Sequence, residues 1–284
     1  MADRIDMAEL RRIVLCADDY GLSPGVNAAI RDLLTRGRVN ATSAMMVTPA
    51  IDRTEADALA AIKAQQPDIA IGLHVTLTTP FRPLTKDYTP LRHGLFPTVG
   101  QTLGFAMLRQ LHPALIAAEI RAQIEKFTAT FGAPPDYLDG HQHVQIFPQV
   151  RDAFLDVVSR DLPNAWVRQC GRITPLPARL SDRKGLLLDI LSAGFRARAV
   201  RLGVRTNPAF AGSYDFHSDP DFAALFPRFL DGLPAGSVVM CHPGFVDDTL
   251  RRLDPLTDLR EREYAFFAAE TFPKLMAANR VTLA

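Results

Sequence analysis

Ionisable side chains occur at the ends of four apolar runs that the sequence predicts to be β-strands. The segments are Asp18-Asp19, His74, DGHQH at 139–143 and HPG at 242–244. A single histidine in a strand is more often a packing residue than part of a site. The parallel strands of an α/β barrel, however, bring their carboxyl ends to one face, where such enzymes build active sites. Four segments at that end therefore favour a functional site over isolated core residues.

These residue types form a donor set for a metal ion. Two imidazoles and a carboxylate suit Zn, Co, Fe or Ni, and Mg less naturally. Three protein ligands leave positions open for water and substrate, as in catalytic sites. The adjacent carboxylates Asp18 and Asp19 can then divide two tasks, one binding metal and the other moving protons. If the strand is regular, Asp139, His141 and His143 point to the same face.

Predicted strands alternate with predicted helices along the chain, which indicates an α/β fold. Ser23 and Pro24 are typical of a helix start, and isoleucines at helical spacing predict an amphipathic helix over 113–131. Seven or eight strand–helix units in one domain over 1–284 favour a closed α/β barrel. An open doubly wound sheet is the alternative, although no GxGxxG follows a strand. The predicted strands are 12–17, 40–48, 69–77, 137–144, 165–169, 201–205, 236–241 and 281–283, and further helices are predicted at 24–35, 52–65 and 257–277.

The alternation is interrupted at about 78–112, where prolines and glycines are scattered. A structureless stretch of this length inside a domain is usually functional. Because it directly follows the strand that carries His74, we expect a loop insertion at the mouth of the barrel that covers the substrate. A packed surface excursion without substrate contact is the alternative.

Composition excludes several classes of protein. Lys and Arg number 32 against 31 Asp and Glu, so nothing favours nucleic acid or an anionic membrane surface as a partner. The apolar runs are far shorter than the roughly 20 residues of a membrane span, which predicts no transmembrane segment. The first residues do not read as a secretory signal. Three widely spaced cysteines, Cys16, Cys170 and Cys241, are interpreted as buried residues of a protein in the reducing cytoplasm.

Four ordered motifs resemble one known family. ADDYGLSPGVN at 17–27, GLHVTLT at 72–78, LDGHQHVQIFP at 138–148 and MCHPG at 240–244 are similar to segments of the YdjC-like carbohydrate deacetylases. That family includes chitooligosaccharide deacetylase and the deacetylase associated with hopanoid biosynthesis. The resemblance implies a distorted (β/α) barrel related to the NodB-type polysaccharide deacetylases. It also implies metal-dependent hydrolysis of an N-acetyl group on an amino sugar or oligosaccharide.

The same resemblance implies roles for individual residues. Asp19, His74 and His141 are expected to bind a divalent metal ion, with Mg or Zn as first candidates and Co or Ni as further ones. Asp18 is expected to act as the general base and His242 as the general acid.

The chain departs from the family's pattern at Gln145, where a third imidazole is often found. Gln145 cannot replace an imidazole ligand, so we expect His143 to lie behind the ligands or against the sugar. Arg201, at a predicted strand start, is expected either to orient Asp18 or to form a structural salt bridge. The charged run at 260–263 is interpreted as a solvated helix face.

Two other functions stay open. The first is a sugar-binding protein that has kept the pocket without the chemistry, although binding alone needs no paired base and acid. The second is a metal-dependent phosphoesterase, although no phosphate-binding cluster is evident in the sequence. The sequence also leaves the assembly open, with a homodimer as one possibility.

Overall fold

One parallel sheet forms the centre of the protein. The computed structural model describes residues 10–173, 183–216 and 220–283. Within those ranges the sheet has nine strands. They are β1 (Arg11–Tyr20), β2 (Ala41–Ala44), β3 (Ala70–Val75), β4 (Tyr137–Gly140), β5 (Trp166–Val167), β6 (Arg205–Thr206), β7 (Phe210–Ala211), β8 (Val238–Cys241) and β9 (Val281–Leu283).

The strand order confirms the predicted distorted barrel. It runs β6-β5-β4-β3-β2-β1-β8-β7, with β9 paired to the start of β1. Because β8 lies beside β1, the eight strands of this path curl as the strands of a barrel do. Among the described residues no ladder joins β6 to β7, so the expected closed ring is open at this edge. Near the opening, the Asn207 side chain bonds the backbone N–H and C=O of Gln169.

Helices cover the sheet between successive strands. The helix at 24–35 begins as predicted, with Pro24 in its first turn and Ser23 accepting the Val26 N–H. The helix predicted over 113–131 has those bounds in the structure. No helix in the described ranges combines the length and hydropathy that a bilayer crossing requires. The helices are α1 (Pro24–Thr35), α2 (Arg53–Gln65), α3 (Val99–Met107), α4 (Pro113–Phe131), α5 (Val150–Asp161), α6 (Arg183–Leu202), α7 (Phe222–Leu230), α8 (Asp248–Leu253), α9 (Asp258–Ala268) and α10 (Thr271–Ala278).

The strand predicted over 137–144 was wrong in its second half. β4 ends at Gly140, and residues 141–146 form a 3₁₀ turn in which His143 has a φ of 59°. The buried Gln145 side chain folds back over Gly140 and closes the end of the strand. The histidines of this segment therefore do not share one strand face.

Other predicted boundaries also differ from the structure: the strands predicted over 40–48 and 165–169 are shorter, and the irregular stretch at 78–112 contains α3. The strand predicted over 201–205 is confined to β6, because residues 201 and 202 still belong to α6. The helix predicted over 257–277 is two helices, separated by Ala269 in an extended conformation. The break lets Phe267 of α9 and Phe272 of α10 both pack against Phe226, each with ring centroids 5.5 Å away.

Candidate active site

The structure brings together Asp19, His74 and His141, the three residues predicted to bind metal. Asp19 Oδ1 lies 3.0 Å from His141 Nδ1 and 3.3 Å from His74 Nε2. One donor atom from each side chain lies within 4.8 Å of the other two, and all three residues are buried. The residues come from β1, β3 and the turn after β4, so the shared carboxyl end of the strands assembles the cluster.

A bulge in β1 places two consecutive carboxylates in the interior of the protein. In a regular strand Asp18 and Asp19 would point to opposite faces. The register between β1 and β2 shifts between Ala17 and Tyr20, and Asp19 has a φ of 70°. This left-handed conformation is one that aspartate adopts more readily than most residues. Both carboxylates are consequently buried, Asp18 against Arg168 and Asp19 against His74 and His141.

The cluster fits a divalent cation by its donors and its charge. His74 bonds Asp139 through Nδ1 at 2.6 Å, which leaves Nε2 to face Asp19. A carboxylate behind a histidine in this way orients the ring of many metal ligands. Burial disfavours the imidazolium, but Asp139 and Asp19 outweigh burial and raise the pKa of His74 to about 10. The surrounding carboxylates thus stabilise positive charge at this position.

Asp18 forms a buried two-pronged ion pair with Arg168. Arg168 Nη1 donates to Oδ2 at 2.7 Å and Nη2 donates to Oδ1 at 2.6 Å. The Ser43 hydroxyl and the Cys16 thiol also donate to Oδ1, at 3.1 Å and 3.3 Å. Burial alone would raise the pKa of the Asp18 carboxyl, but the Arg168 guanidinium reverses this and holds that pKa well below its usual range.

Arg168 is the arginine that contacts Asp18, so the expectation that Arg201 orients Asp18 was wrong. Arg201 lies exposed in the last turn of α6. Arg168 follows β5 directly, is fully buried and also bonds Asp139. In the sequence, the position of Arg168 inside an apolar strand pattern could have indicated this role. Arginine is almost never buried without a partner, so an arginine in such a pattern is expected to form an ion pair.

A second group of donor atoms is filled by this guanidinium. Cys16, Asp18 and Asp139 also bring one ligand atom each within 4.8 Å of one another. Arg168 Nη2 bonds all three side chains. The Arg168 guanidinium therefore occupies the position at which a metal ion would otherwise bind these three side chains.

Arg260, which the sequence reasoning missed, holds the other oxygen of Asp19. Its Nη2 donates to Asp19 Oδ2 at 2.6 Å, and only 1% of its side chain is exposed. Burial opposes ionisation of Asp19, but Arg260 and His141 outweigh it and keep the pKa of Asp19 well below its usual range. The interpretation of 260–263 as a solvated face was therefore wrong for Arg260.

His242 lies half-buried directly after β8, at the same end of the barrel. Its backbone N–H donates to Glu263 Oε2 at 2.5 Å, and its ring contacts the edge of Phe216 at 5.4 Å between centroids. The charge of His242 also contributes to lowering the pKa of Asp18, so the two groups lie within electrostatic range.

His143 and Gln145 make their contacts with residues outside the three-residue cluster. His143 Nδ1 lies 3.5 Å from Cys170 Sγ, and its ring meets the edge of Phe210. Burial and the nearby Arg168 charge lower the pKa of His143 to about 3, so it is neutral at pH 7. Gln145 donates to the Arg168 carbonyl at 3.2 Å. Gln145 thus supports the backbone of the arginine that holds Asp18.

The proline-rich segment at 78–112 begins beside the cluster. The Phe81 ring contacts the edge of His141 at 6.1 Å between centroids. Glu119 of α4, which is fully buried, accepts the backbone N–H groups of Leu84 and Thr85. The first part of the segment is therefore fixed against α4 and borders the predicted ligand His141.

Curated relatives match most of the chain. The chitooligosaccharide deacetylase of Yersinia pestis (strain Pestoides F) is 32% identical over 241 residues, which cover 84% of this chain and 83% of that protein. The protein of the same name from Citrobacter koseri is 29% identical over 248 residues and 85% of each chain.

A solved structure from Enterococcus faecalis V583, provisionally described as a cellobiose-phosphate cleavage protein, has the same fold. It superposes with a TM-score of 0.74 at 21% identity and covers 97% of both chains. The profile of the YdjC-like proteins matches residues 12–278, a span that contains all four motifs and every residue of the cluster. The chain therefore belongs to the YdjC-like protein family.

Proposed function

We propose that the protein is a metal-dependent carbohydrate deacetylase that hydrolyses the N-acetyl group of an amino sugar or oligosaccharide. The observation that carries this proposal is the convergence of Asp19, His74 and His141 next to an ionised Asp18. The relatives named chitooligosaccharide deacetylase, at 32% and 29% identity, support the choice of substrate.

Asp19, His74 and His141 would hold the divalent ion, for which Mg and Zn are the first candidates and Co and Ni further ones. When bound, such an ion lowers the pKa of a water molecule and withdraws electrons from the acetyl carbonyl. Asp139 would keep Nε2 of His74 directed at the ion by holding Nδ1.

Asp18 serves as the general base through one particular oxygen. Oδ1 already accepts hydrogen bonds from Arg168, Ser43 and Cys16, whereas Oδ2 accepts only from Arg168 among the described residues. Oδ2 therefore has the free lone pair that takes a proton from the attacking water. The oxygen of that water forms a bond with the acetyl carbon.

His242 serves as the general acid. Its Nδ1 is buried without a hydrogen-bond partner among the described residues, which leaves Nε2 as the nitrogen that faces substrate. Protonated Nε2 gives its proton to the amine nitrogen as the carbon–nitrogen bond breaks, because an unprotonated amine is a very poor leaving group. The products are acetate and the free amino sugar.

Acetate release from N-acetylglucosamine oligomers, with and without a chelator, tests the function. We expect one free amine for each acetate, loss of activity with EDTA, and recovery on addition of Zn²⁺ or Mg²⁺. Oligomer binding without acetate release would indicate a sugar-binding protein instead. Phosphate release from sugar phosphates in place of acetate release would indicate a phosphoesterase, and acetate release that EDTA leaves unchanged would contradict metal dependence.

Residues 78–112 are proposed to form a lid over the bound sugars, since Phe81 borders His141. Replacing residues 86–95 with a short glycine–serine linker keeps Leu84 and Thr85 on Glu119. We expect relative rates among acetylated oligomers of different length to change more than Zn²⁺ affinity does, because remote sugar contacts contribute to the chemical step. A folded variant that deacetylates every oligomer at the original relative rates would contradict the lid.

The three cysteines are relevant to the cellular location of the protein. Cys16, Cys170 and Cys241 are free and buried, as a reducing compartment permits. We therefore propose a cytoplasmic location. A homodimer remains a prediction that light scattering can test.

A further inference from the structure

Helix α9 carries two buried charges on the face that meets the site. Arg260 and Glu263 are 1% and 2% exposed, whereas Glu261 and Arg262 between them are exposed. Residues three apart lie on the same side of a helix. Charged residues are almost never so deeply buried unless they are paired. Each buried charge of α9 therefore needs a partner inside the barrel end.

Arg260 stands between two carboxylates. Its Nη2 donates to Asp19 Oδ2 at 2.6 Å and to Asp254 Oδ2 at 2.7 Å, while Nε donates to the Leu256 carbonyl at 3.0 Å. With Oδ2 of Asp19 engaged in this way, Oδ1 is the oxygen that faces His74 and His141. Arg260 thus selects which oxygen of Asp19 is offered to the cluster.

Glu263 joins two segments at the other side of the site. Oε2 accepts the backbone N–H of His242 at 2.5 Å, and Oε1 accepts the Tyr214 hydroxyl at 2.6 Å. Tyr214 belongs to the segment after β7, and His242 follows β8. Glu263 therefore fixes the backbone from which the His242 imidazole projects.

The whole segment after β8 is bound along α9. Besides His242, the Gly244 N–H donates to the Arg260 carbonyl at 3.1 Å and the Val246 N–H donates to Glu261 Oε1 at 3.0 Å. Every second amide from 242 to 246 thus has its acceptor on this one helix. A Cβ atom at Gly244 would lie 2.9 Å from Val26 Cγ2 and 3.4 Å from Arg260 Cβ, so only glycine permits this close approach.

We infer that α9 is the positioning element of the site: Arg260 fixes the carboxylate of Asp19, and Glu263 independently fixes the backbone of His242. This inference rests on the proposed function and assigns positioning residues for it. Arg260 acts through Asp19, and Glu263 acts through His242. Loss of Arg260 should therefore affect metal binding, and loss of Glu263 should affect proton delivery alone.

The test compares variants in two measurements. The first is the affinity for Zn²⁺, measured without substrate by competition with a chromophoric chelator. The second is kcat and KM for acetate release. We expect Arg260→Met to weaken Zn²⁺ binding by about 10- to 100-fold, the usual effect of removing the partner of a ligand. We expect Glu263→Ala to keep wild-type Zn²⁺ affinity and to lower kcat by about 10-fold or more with little change in KM. Arg262→Met, which removes an exposed arginine of the same helix, is the matched control.

Conservative variants separate the effect of a side chain's hydrogen bonds from the effect of its charge. Glu263→Gln can accept from His242 with its oxygen and donate to the Tyr214 oxygen with its amide, so we expect it to restore most of kcat. If Arg260→Met fails to fold, Asp254→Asn removes one anchor of Arg260 at a site that is 16% exposed. It should give native melting and a smaller loss of Zn²⁺ affinity.

Three results would overturn the inference. They are wild-type Zn²⁺ affinity in a folded Arg260→Met variant or, if that variant does not fold, in Asp254→Asn; an equal loss of Zn²⁺ affinity in Glu263→Ala; and a Glu263→Gln variant as inactive as Glu263→Ala. A wild-type protein that binds no Zn²⁺ or releases no acetate would instead contradict the proposed function. The wild-type measurements therefore distinguish the two failures.

Discussion

Replacing Asp18 with asparagine should lower the rate of acetate release by about 100- to 10,000-fold, the usual contribution of a general base. The amide oxygen of asparagine can still accept a hydrogen bond from Arg168 but cannot take a proton from water. Zn²⁺ affinity should stay within a few-fold of wild type, because Asp18 pairs with Arg168 and is not one of the three predicted metal ligands.

Asp19→Asn is the comparison variant that separates loss of the general base from loss of a metal ligand. It removes the carboxylate that lies 3.0 Å from His141 and leaves Arg260 facing a neutral amide. We therefore expect Zn²⁺ binding and acetate release to be lost together. Equal loss of Zn²⁺ affinity in both variants, measured by the same chelator competition, would show that the two aspartates have been assigned wrongly.

Arg168→Met should destabilise the protein by about 3–5 kcal/mol at pH 7, the usual effect of breaking a buried ion pair by removing one partner. Asp18 and Asp139 would remain fully buried without the guanidinium that now bonds both. Denaturant unfolding of variant and wild type measures the difference. Arg168→Lys, which keeps the charge but not the two-pronged geometry, should fall between them.

The effect of Arg168→Met should depend on pH in a defined direction. The pKa of Asp18 is lowered in the folded protein, so its ion pair stabilises the fold above the unfolded pKa of about 3.9 and loses that contribution as the pH falls further. The stability difference between wild type and variant should therefore begin to shrink below about pH 5 and should go on shrinking as the pH falls toward the lowered pKa of Asp18. A variant as stable as wild type at pH 7, or a difference independent of pH, would contradict the buried ion pair.

Local signals in the sequence were sufficient for the elements that frame the site. Pro24 after a capping serine placed the start of α1, and isoleucines at helical spacing placed α4 at 113–131. The segments that carry Asp19, His74 and His141 could be grouped because parallel strands end at one face of a barrel, whereas the choice of these three residues as ligands came from the family resemblance. Those inferences depend on backbone preference and strand direction, which neighbouring residues determine.

The sequence did not predict how the chain turns at two of these strand ends. Asp18 and Asp19 converge only because a bulge in β1 gives Asp19 a φ of 70°. His141 reaches the cluster from a 3₁₀ turn rather than from a strand, since Gln145 folds back over Gly140. Both deviations depend on contacts with other segments, and alternation along a strand cannot show them.

The tertiary structure alone decided which arginines serve the site. Arg168 and Arg260 bond carboxylates that lie 150 and 241 residues earlier in the chain. In the sequence, Arg260 could not be told apart from its exposed neighbour Arg262, because a charged side chain on a helix is normally solvated. Whether an arginine is buried depends on the free energy gained from a carboxylate brought to it by folding. That carboxylate is placed by the sheet, so residue type and spacing indicated the chemistry of the site, and only the fold determined its ion pairs.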